Sequence, residues 1–236
     1  MKELKWNYDE TTAYWANRGI LPFPPSPQKQ FEGSPLVENS WKKHLINNSF
    51  PEYCRHPNKP GYLLCSPSNI IRCFKNDKVL EALVLTIVWG AMTRTKGKSI
   101  YTQPNKIIEE VLLKCMELTK RKNSVMDSWN LLVNELKWSA VITSKCLHFL
   151  VRSLDYEINP PVPIDNTVII KKVWPKFKEL VKGQRISGDP SMYEGWWSYD
   201  ASWDAYNRYM TAINCWSKLK GWTTTQIENT IFKVFY

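Results

Sequence analysis

The run from Val79 to Met92 constrains this chain more than any other stretch. Leu80, Leu83, Val84, Ile87 and Val88 recur so closely that a helix built from the run is apolar nearly all round. Such a helix offers no polar face to water, so it belongs at the centre of a domain with other elements covering it. It is also too short to cross a bilayer, which takes about 20 apolar residues. Asp77 stands where an N-cap would open it.

The cover is legible as amphipathic helices. Ile107, Ile108, Val111, Leu112, Cys115 and Met116 recur at three- and four-residue spacing, and that helix ends in Lys120-Arg121-Lys122, cations that suit the negative end of its dipole. Asp127 is expected to cap the next helix, with Trp129, Leu132, Val133 and Leu136 inward. A further helix buries Leu147, Leu150 and Leu154 with Cys146 and Phe149 alongside, and His148 on it reads as a hydrogen-bonded structural histidine. Trp203, Tyr206, Met210, Ile213 and Trp216 make a stripe at helical spacing, usually core, and Thr225-x-x-Glu228 reads as the capping box of a last helix. The expected fold class is mainly α.

Residues 1–75 read differently. Trp6, Tyr8, Tyr14 and Trp15 precede prolines at 22, 24, 25, 27 and 35, a density that forbids a long helix. The expectation is an irregular Pro/aromatic-rich segment packed on a helical domain spanning 76–236, with a short helix near Ser40–Asn47 capped by Ser40.

Lys and Arg number 32 against 22 Asp and Glu, a net charge of +10 that favours polyanionic partners. The 12 Trp and 11 Tyr would suit stacking on unpaired bases, although a helical core absorbs such rings equally well. Six cysteines show no paired framework, and Cys115, Cys146 and Cys215 fall on apolar faces, as buried free thiols of a reducing, cytoplasmic compartment do. Cys54, His56, Cys65 and Cys73 are the residues a metal would use, but their spacing lacks any Cys-x-x-Cys and fits no zinc template.

Chemistry concentrates in two places. Ser144-Lys145-Cys146-Leu147-His148-Phe149-Leu150 sets one lysine on the first turn of an apolar helix. Twenty residues on, beyond Pro160, Pro161 and Pro163, Asp165 opens the helix that starts near Thr167. An unprotonated lysine amine is a nucleophile. A carboxylate at a helix N-terminus can be a cap and nothing more, yet its second oxygen can face a cleft and stabilise a developing cation. Both chemistries suit cleavage at a sugar anomeric carbon.

This lysine, the apolar helix after it and the Pro-x-Asp turn resemble the active-site segment of the helix-hairpin-helix DNA glycosylases, in particular the 8-oxoguanine glycosylase branch and its compact bacterial offshoots. The resemblance runs from about Val79 to Tyr236. It implies a helix-hairpin-helix glycosylase-like helical fold, with Lys145 and Asp165 as the catalytic pair. The Gly-x-Gly turn usual before the lysine is absent, and Trp138-Ser139-Ala140-Val141-Ile142-Thr143 stands in its place.

Around that pair, Thr143, Ser144 and Thr167 are the expected phosphate contacts. Arg94, Lys96 and Lys98 form a cationic loop that is either solvated surface or a further DNA contact. Trp196, Trp197, Tyr199 and Trp203 are candidates for the wall of a base pocket, because two adjacent tryptophans at a helix entrance cannot both point inward. The implied reaction extrudes a modified base from double-stranded DNA and excises it with no metal or cofactor, the protein acting as a monomer. Lys145 either attacks C1′ or anchors charge while water attacks. Among candidate substrates, 8-oxoguanine is the branch's own. A bulky modified pyrimidine such as glucosylated hydroxymethylcytosine of phage DNA fits the departures from that branch, and would make this an antiviral enzyme. A non-catalytic DNA-binding module and a helical protein-interaction domain are the rival classes.

Overall fold

The computed structural model describes residues 35–90, 100–101, 103–122, 125–154, 161–165, 203, 206–207, 210, 213–214, 217 and 221–228. The structure is mainly α-helical. Its contacts divide the chain into two compact units, Lys29–Pro161 and Met1–Gln28 with Val162–Tyr236.

The described part of the first unit opens with an irregular stretch. Leu36–Val37 (β1) pairs antiparallel with Tyr62–Leu63 (β2), Leu36 opposite Leu63. Single 3-10 turns cover Glu38–Ser40, Lys42–His44 and Glu52–Cys54. The helix expected from Ser40 is therefore two short turns instead, and Ser40 caps neither. Leu45, Phe50, Cys54, Leu63 and Cys65 are buried, so this stretch contributes to the core.

Five helices follow in this unit among the described residues: α1 (Pro67–Lys75), α2 (Val79–Trp89), α3 (Asn105–Lys122), α4 (Met126–Glu135) and α5 (Ala140–Ser153). Sequence reasoning missed α1. Ser66 caps it by accepting from the Asn69 amide at 3.2 Å, and Pro67 occupies the first helical position, where a missing N–H is harmless. Asp77 is not the cap of α2. It takes a left-handed conformation (φ 54) in the tight turn that ends α1, and Lys78 precedes α2 without any side-chain cap.

Helix α2 is buried along its whole length except at Trp89, as its composition requires. It stops at Gly90 rather than Met92, a glycine just past the last turn being the usual stop signal. In α3, Ile108, Leu112, Cys115 and Met116 face inward as expected and Val111 is half-buried, but Ile107 is exposed, one residue off the buried stripe that runs through Ile108, Leu112, Cys115 and Thr119. Asp127 lies within the first turn of α4, where it complements the dipole but does not cap, the cap position being Val125. Trp129, Leu132 and Leu136 are buried there, and Val133 is half-buried.

The turn joining α4 to α5 is Leu136–Ser139, and Lys137 adopts the left-handed conformation (φ 55) usually left to glycine. Residues 138–143 stand where the resemblance puts the hairpin turn. The turn is shorter than that, because Ala140–Thr143 already form the first turn of α5. Trp138 anchors the reversal, its indole N–H donating to Ile100 O at 3.2 Å. Thirteen of the 14 residues of α5 are buried, all but Arg152, and α5 packs against each of α1 to α4. Lys145 thus sits in the second turn of this apolar helix, not in its first turn as expected.

In the second unit, Val162, Pro163 and Ile164 are buried. Tyr206 Oη donates to Val162 O at 2.9 Å, and Tyr206, Met210 and Ile213 form the buried stripe the spacing implied. The capping box is Thr223-x-x-Gln226, with reciprocal bonds of 3.2 and 2.8 Å, two residues ahead of the expected Thr225-x-x-Glu228. Residues 1–34, the helix expected after Asp165, Cys215 and Trp216 lie outside the described residues. No described helix is long and apolar enough to cross a membrane.

Candidate active site around Lys145

Lys145 is 5 % exposed, a low value for a side chain that ordinarily seeks water. Its Nζ donates to Gly90 O at 3.2 Å, across 55 residues of sequence. Gly90 is the C-cap of α2 and its own N–H returns to Thr86 O at 2.9 Å, so its carbonyl lies at the negative end of that helix. The amine is therefore held by a helix terminus. The backbone supplies this arrangement in two steps. Apolar residues force α2 inward, and Gly90 then ends it where α5 presents Lys145.

Three rings pack beside this contact. Trp89, the last residue of α2, stacks nearly parallel to His148 (interplanar angle 9°, centroids 6.4 Å apart) and meets Phe149 edge-on at 4.9 Å. His148 is fully enclosed. Its Nδ1 lies 2.8 Å from Pro161 O, and its Nε2 lies 3.2 Å from a guanidinium nitrogen of Arg152. A carbonyl only accepts and a guanidinium only donates, so Nδ1 carries the proton and Nε2 accepts. Burial, aided by the Arg152 charge, drives the imidazole pKa from 6.5 down to about 3. The structural reading of His148 is correct.

That depressed pKa makes folding pH-dependent. Between 6.5 and about 3 the unfolded chain takes up a proton on this imidazole that the folded chain refuses, so stability falls as pH falls. By pH 5 the loss amounts to about 2 kcal/mol, at about 1.4 kcal/mol per pH unit. Denaturant melts at pH 7.5 and 5 should show this loss, and His148→Asn should remove its part of the slope.

The neighbours of Lys145 on α5 correct another expectation. Thr143 and Ser144 were read as phosphate contacts, but both side chains are completely buried. Ser144 Oγ donates to Val141 O at 3.2 Å, and Thr143 Oγ1 is enclosed without a hydrogen-bond partner. Their positions on a helix buried everywhere but at Arg152 turn both hydroxyls inward. Thr143→Val should therefore raise stability by about 1 kcal/mol, read as a higher melting temperature, because it removes a buried hydroxyl that has lost water and gained nothing.

Asp165 ends the irregular stretch Pro161–Asp165 and is half-buried. It belongs to the second unit. Trp203, a candidate pocket wall, is half-buried and lies tilted against Tyr206, 5.9 Å between centroids. Trp196, Trp197, Tyr199, Arg94, Lys96, Lys98 and Thr167 lie outside the described residues.

Sequence reasoning missed Trp89, Gly90 and Arg152. Gly90 carried a readable signal, a glycine closing an apolar run, whereas nothing local tells that its carbonyl receives Lys145.

The metal candidates do not assemble. Cys54 and Cys73 approach to 3.5 Å between sulfurs, while His56 Nδ1 accepts from the Asn58 amide. Among the described residues no three His, Cys, Asp or Glu side chains group as metal ligands. The five described cysteines are free and buried, and burial raises the thiols of Cys65 and Cys115 to about 12.

Residues 37–232 match the family described as "Putative 8-oxoguanine DNA glycosylase OGG-like protein". The match covers most of the chain, and begins some 40 residues before the point at which the sequence motifs alone let the resemblance start. No curated protein and no solved structure matches the chain. The chain belongs to the OGG-like family.

Proposed function

We propose that this member of the OGG-like family is a DNA glycosylase that extrudes a modified base from double-stranded DNA and excises it with Lys145 and Asp165. The observation that carries the reading is the setting of Lys145: a single amine on a central helix, 5 % exposed and held by the Gly90 carbonyl in a chain whose family description is that of a glycosylase. A lysine placed only for solubility would not be built into the core.

In this reading the C1′–N bond of the extruded nucleotide lengthens and positive charge grows on the sugar, where the Asp165 carboxylate stabilises it. Lys145 Nζ supplies the electron pair that forms the new C1′–N bond, and the departing base leaves with the old pair and takes a proton. Opening of the sugar ring yields an imine between Nζ and C1′, and loss of the C2′ proton then breaks the C3′–O bond of the strand. The fixed hydrogen bond to Gly90 O orients the amine before attack, the kind of preorganisation that replaces a search over conformers.

The family description supports 8-oxoguanine as the base. The departures of the pocket-side residues from that branch, and the Pro/aromatic-rich first residues, support a bulky modified pyrimidine and an antiviral role. Base release from three duplexes decides between them: one carrying 8-oxoguanine, one carrying glucosylated hydroxymethylcytosine, and one unmodified. Release from either modified duplex and not from the third is the expected result. If neither base is released while the protein binds all three equally, the chain is a non-catalytic DNA-binding module.

A further inference from the structure

A pair of thiols in the unit Lys29–Pro161 has no part in the excision chemistry. Cys54 lies on the single 3-10 turn Glu52–Cys54, and Cys73 on the buried face of α1 beside Ile70 and Phe74. Both side chains are fully buried, and their sulfurs are 3.5 Å apart. Cys73 follows 19 residues after Cys54, so their meeting is a product of packing and not of one element's periodicity.

Tyr53 makes the approach firm. Its Oη donates to the Cys73 sulfur at 3.6 Å, and the Arg72 guanidinium lies over its ring, 4.1 Å from the centroid. The turn is thus docked on α1 before any covalent bond exists. Closing the sulfurs from 3.5 Å to the roughly 2 Å of a disulfide asks only a small displacement of side chains.

Access comes from the thin cover over the turn. Between residues 51 and 60, Cys54 is the one buried residue, its neighbours on both sides being exposed or half-buried. Two of the backbone bonds at the turn span only three residues, from Cys54 N–H to Pro51 O and from Arg55 N–H to Glu52 O. A stretch with so few buried groups is of the kind that opens locally at low cost. While it is closed, the Cys73 sulfur and burial hold the Cys54 thiol well above its ordinary pKa, so the thiol is no nucleophile. Opening exposes it to water and to a soluble oxidant.

We propose that Cys54 and Cys73 form a redox site, at which a low-molecular-weight disulfide oxidises the pair to an internal disulfide that ties the turn to α1. Nothing in this chemistry depends on the glycosylase reading. The Cys54 thiolate attacks one sulfur of the oxidant and displaces a first small thiolate. Cys73 then attacks the Cys54 sulfur of the mixed disulfide and displaces the second. Two electrons pass to the oxidant, and the two protons lost by the cysteines end on the two small thiols released. The new bond closes a segment that contains β2 and the Ser66 cap of α1, and it restricts the unfolded chain more than the folded one. Because α1 packs against α2 and α5, the cross-link anchors an element in contact with the helix that carries Lys145.

The test holds the full-length protein in excess oxidised glutathione or in dithiothreitol, in native buffer and in urea below the unfolding transition. Digestion without reduction, followed by mass spectrometry, maps the cross-links, and thermal melts compare the two states. The expected result is a Cys54 peptide joined to a Cys73 peptide, a bond lost on reduction. The oxidised protein should melt about 5–10 °C above the reduced one. That rise should vanish in Cys54→Ala and in Cys73→Ala, each compared with its own reduced form. It should persist in Cys65→Ala, which removes the rival buried thiol. The wild-type map stands even where a variant fails to fold. Cysteines 54 and 73 still reduced in both buffers, or carrying glutathione without a bond between them, overturn the proposal. So does Cys54 joined to Cys65, or an oxidised protein that melts no higher than the reduced one.

Discussion

Replacing Lys145 by glutamine should abolish every covalent adduct between this protein and DNA that borohydride can trap. The amide nitrogen of glutamine has no available electron pair, so the imine cannot form, whereas its N–H can still donate towards a carbonyl. Folding should survive, because the group lost is one donor to Gly90 O, and a buried carbonyl left short of a partner costs about 1–3 kcal/mol. A melt in the wild-type range with no trapping would assign the lost chemistry to the amine. Undiminished trapping in Lys145→Gln would place the nucleophile elsewhere. Base release persisting in Lys145→Gln without trapping would mean that water attacks C1′ and that the amine is not needed for that step.

Asp165→Asn should cost base release about 10²–10³-fold while leaving the DNA affinity close to wild type. The substitution keeps size and one carbonyl oxygen and removes only the negative charge. Its effect is therefore confined to a state in which the sugar has become cationic, and loss of one preorganised electrostatic contact of this kind costs about 3–4 kcal/mol. Trapping at a preformed abasic site should be affected much less, since no glycosidic bond remains to break. Single-turnover release measured beside trapping separates the two effects. If both fall together, Asp165 acts in imine formation; if neither falls, it is an N-cap and nothing more.

The sequence disclosed the elements that obey one local rule and concealed those that depend on distant partners. Val79–Trp89 was legible because an all-round apolar helix has only one place to go, and the interior faces of α3 and α4 followed from three- and four-residue spacing. Helix ends were less legible. Asp77 and Asp127 look like caps, yet one takes a left-handed turn and the other lies inside the first turn, since a backbone N–H can be satisfied by neighbouring carbonyls as well as by a side chain. Helix α1 went unseen because the prolines before it masked Ser66-Pro67, itself a sound starting signal.

The candidate site divides in the same way. Lys145 and Asp165 were readable as residue types in a recognisable pattern. Burial of Thr143 and Ser144 was not, because an amphipathic reading assigns hydroxyls to the wet face, and α5 has almost none. The Gly90 contact spans 55 residues and the His148 contact joins a ring to a proline carbonyl, interactions that no periodicity encodes. Lys137 in a left-handed conformation belongs to the same class, as tertiary packing overrode local preference there.

The most direct measurement of the central claim is the site of attachment. The wild-type protein is trapped with borohydride on a duplex holding an abasic site, digested with protease, and the nucleotide-bearing peptide is identified by mass spectrometry. A single modified residue, Lys145, is expected. Modification spread over surface lysines, or confined to one other than Lys145, would contradict it.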